Sequence, residues 1–234
     1  MSNTLFEIKQ LEKTFAANGV VNKVLKNISF SVHRGEFIAI QGPSGCGKST
    51  LLSILGLLDN STAGQYKLCD KDVNTLSVYQ KSVLRNQQIG WIFQNFNLIG
   101  EMTAIENVSL PLRYHPSIKK AVYRSKAMQA LDLVGMGDKA DFYPNQLSGG
   151  QQQRIAIARA LVTSPSLILA DEPTGNLDSE NAELVFKLLQ KIHGQNATII
   201  MVTHADELAL RCQRQIKLRD GQIISESMDN LVGA

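Results

Sequence analysis

Phe37-Ile38-Ala39-Ile40-Gln41-Gly42-Pro43-Ser44-Gly45-Cys46-Gly47-Lys48-Ser49-Thr50 is the stretch that decides the fold of this 234-residue chain. The apolar run 37–40 reads as a short buried strand. From Gly42 to Ser49 the residues fit G-x-x-x-x-G-K-[ST], and 49–58 has helical composition. Strand, glycine-rich loop and helix in that order form a cradle for a polyphosphate. The glycines let backbone N–H groups wrap the anion, and the helix presents its positive end to it. Gly42, Pro43, Ser44, Gly45, Cys46, Gly47, Lys48, Ser49 and Thr50 are therefore candidate nucleotide-binding residues. Lys48 would reach the β- and γ-phosphates, and the Ser49 hydroxyl would sit on Mg²⁺.

Further apolar runs end in groups able to do chemistry. Residues 167–170 and Thr198–Val202 are unbroken, as expected of parallel strands covered on both faces. Asp171-Glu172 follows the first and Thr203-His204 the second. Ligands of open α/β sheets sit beyond the carboxyl ends of the strands, so these ends and the glycine loop predict one site. A carboxylate such as Asp171 at a buried strand end is costly unless it meets a cation, here Mg²⁺. Glu172 is placed to polarise an attacking water as general base. The pair read as a cap for a helix near Ser179 is less apt, because Pro173-Thr174-Gly175 intervenes. A fourth run, 89–93, leads to Gln94, a candidate to ligate Mg²⁺ or orient water. His204 is a candidate to hydrogen-bond the γ-phosphate or the lytic water. Taken alone, Gln94 would be a surface residue and His204 a structural one; their company raises them.

Between roughly 95 and 165 the pattern is helical. Residues 119–134 carry Val122, Ala127, Ala130, Leu131 and Val134 at near-helical spacing, with Gly135 as a stop, which predicts a helical lobe inserted in the sheet domain. Leu147-Ser148-Gly149-Gly150-Gln151-Gln152 within it reads locally as a turn entering a helix. Ile28, Phe30 and Val32 alternate as in a half-buried strand, and 215–224 reads as a hairpin about Asp220-Gly221.

Composition is that of an ordinary globular protein, 44% hydrophobic and 19% charged. The formal charge of +3 comes without a dense basic block and argues neither for nor against a nucleic-acid or membrane-surface role; no nucleic-acid partner is expected. Cys46, Cys69 and Cys212 are too far apart for a zinc pattern and odd in number for a disulfide framework, which suits a reducing compartment. No signal-peptide core or membrane-length apolar run is present, so action at a membrane is expected to need another chain for the span. Cys46, beside backbone donors and Lys48, is expected to be a reactive thiol whose alkylation blocks turnover and which bound nucleotide protects.

Together these residues resemble the ATP-binding subunit of ABC transporters. The glycine loop resembles Walker A, Gln94 the Q-loop, LSGGQ the signature, 167–172 Walker B, Asn176-Leu177-Asp178 the D-loop and His204 the H-loop, in the family's order over nearly the whole chain. The resemblance implies an α/β P-loop NTPase (RecA-like) core with a mainly parallel sheet, an antiparallel β subdomain and an inserted α-helical subdomain. It implies a single domain over 1–234, with 1–94 and 166–234 as core and 95–165 as the helical part. By the same resemblance Ser148, Gly149, Gly150 and Gln151 would bind the γ-phosphate of ATP held by a second copy. Asp178 would speak across the same interface, and Phe15 would stack on adenine, with a core Phe as the rival reading. The catalytic set is then Glu172, His204, Lys48 and Gln94, and Mg²⁺ falls to Ser49, Gln94 and Asp171.

Gly56-Leu57-Leu58-Asp59, Phe93-Gln94-Asn95-Phe96-Asn97-Leu98-Ile99, Thr103-Ala104-Ile105-Glu106-Asn107-Val108 and Asn176-Leu177-Asp178-Ser179 resemble the MacB- and LolD-like branch. Ala205 departs from it, since an acidic residue is frequent after the histidine. This implies a homodimer sandwiching ATP, at the cytoplasmic face of a bacterial inner membrane. It drives export, extraction or mechanotransmission through a permease subunit with a large extracytoplasmic domain. The alternative is a regulatory ATPase of a non-transporting membrane complex that controls an extracytoplasmic enzyme or sensor. Soluble repair or translation factors of the family carry two cassettes or long coiled coils, and a small-molecule kinase needs no LSGGQ.

Overall fold

In chain order the elements are β1 (Thr4–Ala17), β2 (Val20–His33), β3 (Phe37–Gln41), α1 (Lys48–Leu55), β4 (Ala63–Leu68), β5 (Lys71–Asp72) and α2 (Val78–Gln88). They continue with β6 (Ile89–Ile92), α3 (Ala104–Ser109), α4 (Tyr123–Leu133), α5 (Gly149–Leu161), β7 (Leu167–Asp171) and α6 (Ser179–His193). β8 (Thr198–Val202), α7 (Asp206–Ala209), β9 (Arg214–Arg219) and β10 (Gln222–Met228) complete the order. The computed structural model describes residues 3–17 and 20–228, so the ends of the 1–234 domain reading and residues 18–19 lie outside the described residues. Packing divides the chain into one unit of Met1–Lys81 with Asn196–Ala234 and a second of Ser82–Gln195.

In the first unit β2-β1-β4-β5 form an antiparallel sheet. β3 lies between β8 and β9, parallel to both, and β10 is antiparallel to β9. All residues of β3 and β8 are buried, which is why both read as unbroken apolar runs. In β2, Ile28, Phe30 and Val32 are the buried face. The expected hairpin is present, and Asp220 and Gly221 both have positive φ (49° and 76°), as a two-residue type I′ turn requires. Phe6 packs edge-on against Phe30 and Tyr66 at 5.6 and 6.0 Å between ring centres. The buried Tyr66 hydroxyl donates to Leu55 O at 2.7 Å, tying the antiparallel sheet to the end of α1.

In the second unit β6 and β7 pair in parallel, Ile92 opposite Ala170. α3 opens with a capping box of Thr103 and Glu106. Fully buried Asn107 accepts from Ile99 N (2.8 Å) and donates to Ile99 O and Met102 O (3.1 and 3.0 Å), fixing the loop before α3. The helix expected over 119–134 is shorter than its spacing suggested. Lys120–Val122 is a tight 3₁₀ turn, α4 starts at Tyr123, and the turn leaves Val122 39% exposed instead of in the core. Gly135, at φ +69°, follows the helix end as expected. Among the described residues no helix is long and apolar enough to cross a membrane.

Candidate functional site

The first unit carries the glycine loop and His204 on one edge. β3 and β8 are parallel neighbours with Ile40 opposite Val202, so the segments leaving their carboxyl ends, 42–49 and 203–206, emerge side by side. Gln41 Nε2 donates to Asp206 Oδ1 at 2.7 Å, and Thr203 Oγ1 accepts from Ala205 N at 3.1 Å. The acid missing at 205 is thus present one residue later, bonded to the end of β3.

The loop is built to receive an anion. Gly47 caps α1 at φ +106°, no side chain caps that helix end, and no acidic residue lies in its first turn. A Cβ on Gly47 would fall 2.8 Å from Leu25 Cδ2 and 3.1 Å from Val24 O, so both conformation and space demand glycine. The helix start therefore offers N–H groups and the positive end of the dipole without competition from a cap. Lys48, 6% exposed, turns its ammonium back over the loop to donate to Gly42 O (2.7 Å) and Pro43 O (3.0 Å). Cys46 is buried at 4% exposure, so a reagent reaches its sulfur only when the loop opens. Phe15 on β1 is 46% exposed, which excludes the core reading of that ring.

The second unit gathers the other candidates. Asp171 ends β7, Glu172 follows it, and Gln94 lies two residues past β6, so all three leave the same edge of the β6–β7 pair. Gln94 Nε2 donates to Asn176 Oδ1 (3.3 Å), while Asn176 Nδ2 donates to Gln94 O (3.2 Å) and Asn95 Oδ1 (2.7 Å). A side chain on Gly175 would meet Gln94 Nε2 at 2.9 Å and Glu172 Oε2 at 3.3 Å, which places that amide and that carboxylate about one small residue. Glu172 itself takes a left-handed φ of 46°.

The signature stretch is a helix start of another kind. Ser148 caps α5: its Oγ accepts from Gln151 N at 3.3 Å, and its N donates to Gln151 Oε1 at 2.9 Å. Asp178 caps α6, accepting from Asn181 N (2.9 Å) and Asn181 Nδ2 (2.7 Å). These two bonds, the backbone one first, hold its carboxyl below the ordinary value. A Cβ on Gly150 would fall 2.2 Å from Asn181 Oδ1, so only glycine lets the signature helix approach the helix that Asp178 caps.

Two residues here were not foreseen from the sequence, and a third, Asn176, was read only as part of the 176–178 stretch. Gln153, fully buried on α5, donates to Pro173 O at 2.6 Å, directly after Glu172. Arg159 on α5 donates to Phe96 O at 2.7 Å and also to Asn97 O, gripping the loop beyond Gln94. Asn176 closes the third link. Arg159 stands out in the sequence as a charge in the apolar half of the helix, 155–161, whereas Gln153 lies in the polar run 151–154 and carries no such signal.

A sequence profile of the family described as ABC transporter matches residues 25–175. The chain is 46% identical over 224 residues to a macrolide export ATP-binding/permease protein MacB of Chlorobium phaeobacteroides, and 47% identical over 228 residues to one of Aggregatibacter actinomycetemcomitans. These alignments take in 96% and 97% of the chain but 34% and 35% of those proteins, so it spans about a third of their length. It is also 46% identical to an uncharacterized ABC transporter ATP-binding protein of Methanocaldococcus jannaschii, over 94% of the chain and 98% of that protein. A solved ATP-binding cassette, dimeric in a post-hydrolysis state with ADP and Pi, matches with a TM-score of 0.87 at 39% identity. That match covers 98% of this chain and 100% of the cassette. The fold is thus the α/β P-loop NTPase fold of such cassettes, and the branch is MacB-like. The chain belongs to the ABC transporter family, whose ATP-binding domains hydrolyse ATP.

Proposed function

We propose that the chain is the ATP-hydrolysing subunit of a membrane complex and works as a head-to-tail pair. In this reading each ATP lies between the 42–49 loop of one copy and Ser148-Gly149-Gly150-Gln151 of the other. One observation carries it. Among the described residues two α-helices start at glycines: one is uncapped and furnished with a lysine, while the other is closed by its own Ser148 and Gln151. Ser148 Oγ uses a lone pair on Gln151 N, which leaves its proton to donate to an anion brought by another molecule.

The chemistry follows from the groups. Water attacks the γ-phosphorus, the bond to the bridging oxygen breaks, and ADP leaves. Glu172 accepts the proton of the attacking water, Gln94 and His204 orient water and γ-phosphate, and Lys48 neutralises charge on the transferred group. Ser49, Asp171 and Gln94 would hold Mg²⁺. All three present hard oxygen, and among the described residues no three His, Cys, Asp or Glu cluster into a protein cage. That donor set suits an ion that shares its shell with phosphate and water. An ion held by these residues would supply neutralisation of phosphate charge.

The wider reading is a single ABC ATPase domain, with 95–165 as the part that engages a permease subunit bearing a large extracytoplasmic domain. It works peripherally at the cytoplasmic face of a bacterial inner membrane. Its support is the MacB likeness, since those proteins are named as ATP-binding/permease proteins. The test is Glu172→Gln on gel filtration: with saturating ATP–Mg²⁺ it should elute as a dimer that binds but does not turn over ATP. A monomer under those conditions would sink the sandwich.

A further inference from the structure

We propose that Lys13 is the positioning residue of the nucleotide-base platform. It holds the inner face of the Phe15 ring and ties it to the helix that the phosphate loop begins, so that base and phosphates are read by one rigid piece. This rests on the reading of Phe15 as the base-stacking aromatic.

Lys13 and Phe15 are two apart on β1, and a register shift between Lys13 and Thr14 interrupts the regular alternation there, so it is the direct contact of ammonium and ring that brings the two side chains together. Lys13 is only 8% exposed, whereas Phe15 is 46% exposed. A buried ammonium needs partners, and this one has three. Its Nζ donates to Asp59 Oδ1 at 2.7 Å and to Asn60 O at 2.8 Å, and it lies over the Phe15 ring, 4.8 Å from the centroid. The Lys13 ammonium thus takes one face of the ring and leaves the other to a base.

Asp59 and Asn60 belong to the turn wound back on α1. Asp59 N donates to Ser53 O at 3.2 Å and Leu58 N to the same oxygen at 2.9 Å. Asn60 N donates to Asp59 Oδ1 at 2.7 Å, and Lys81 Nζ donates to Asn60 Oδ1 at 2.6 Å, so the turn is braced from two sides. Burial pushes the Asp59 carboxyl up, but the Lys13 ammonium and Asn60 N–H outweigh it and hold the group below its ordinary value. A second tie runs through β2. Lys13 is paired with Leu25, and Leu25 is the side chain that a Cβ on Gly47 would strike. The platform is thus coupled to both the tail of α1 and the loop at its head.

The Lys13 ammonium has two effects on the ring. It draws charge from the inner face, which weakens the repulsion between the outer π-face and the π-face of a stacked base. It also limits the swing of an exposed side chain, so less freedom is lost when the base arrives.

The experiment compares dissociation constants of ATP and of inorganic tripolyphosphate, which has no base, for the intact chain and its variants. Phe15→Ala and Lys13→Met should each weaken ATP about three- to tenfold and leave tripolyphosphate unchanged. Lys13→Arg should recover most of the ATP affinity. The double variant should be no weaker than Phe15→Ala, because the two residues act as a unit. If Phe15→Ala weakens ATP while Lys13→Met does not, the proposal is overturned and the base reading stands. If Phe15→Ala changes nothing, the base reading fails and takes the proposal with it. Equal weakening of ATP and tripolyphosphate by Lys13→Met would make Lys13 a support of the loop alone and also overturn it. Should Lys13→Met not fold by thermal melting, Asp59→Asn keeps the lysine but loosens its anchor, and the same comparison applies.

Discussion

Two helix starts in this chain look alike in sequence and are opposite in construction. α1 begins after a glycine with no cap, no acid and a lysine turned over the loop. α5 begins at Ser148 with its donors met by a Ser148–Gln151 box. The first is open for an anion and equipped to hold one. The second spends its side chains on itself and has one hydroxyl proton left to offer. A glycine-rich helix start is therefore not a nucleotide site by default; the state of its cap decides what it can bind.

The largest test of that contrast is to damage each start separately. Lys48→Ala should lower ATP affinity of the isolated chain by more than about tenfold, because a desolvated charge-assisted contact to phosphate is lost. Ser148→Arg should leave that affinity unchanged and abolish turnover. Mixing the two inactive variants should restore activity, since a mixed pair contains one site with both halves intact. No recovery in the mixture, measured as phosphate release, would break the contrast. Next in size is Glu172→Gln, which should cut turnover by about 10²–10⁴-fold while ATP still binds.

A smaller effect comes from the cap itself. Gln151→Ala removes half of the box and should cost about 1 kcal/mol, a fall of about 2–4 °C in melting temperature. Turnover should fall too if the Ser148 hydroxyl depends on Gln151 for its aim. The Asp178 cap gives a pH test. Its folded carboxyl is lowered by Asn181, so its contribution is present above the unfolded value of about 3.9 and is lost as pH falls through the lowered folded value. Wild type should lose a small increment of stability below about pH 4 that Asp178→Asn lacks, by melting at stepped pH. Smallest is a labelling rate. Buried Cys46 should react with a thiol reagent only as the loop opens, and more slowly still with ATP bound. Cys212, whose thiol burial pushes up to about 12, should not react in the folded protein.

What was legible in the sequence was what burial writes in runs. β3, β7 and β8 are covered on both faces, so Phe37, Leu167 and Thr198 each open an unbroken run whose polar end marks the site. β1 was not read from its residues, because register shifts near Leu11 and Lys13 break the alternation that identifies a strand. α2 was missed because it buries only Leu84. Lys13, Gln153 and Arg159 could not be foreseen, since each acts on a group 20 to 63 residues away. A polar residue in an apolar stretch announces that it has a partner but does not name it.

Arg159 has a consequence for how the loop past Gln94 moves. Phe96 and Asn97 sit consecutively at left-handed φ of 61° and 50°, neither of them glycine. The left-handed Phe96 costs about 1 kcal/mol or more, Asn97 less, and the guanidinium fork on their two carbonyls joins the turn bonds from Phe96 N to Phe93 O and from Asn97 N to Asn95 O in holding them. Loss of the fork should therefore make the segment easier to rearrange. Truncating Arg159 should leave the two carbonyls without their shared donor, so that hydrogen exchange finds the backbone amides of 95–98 less protected.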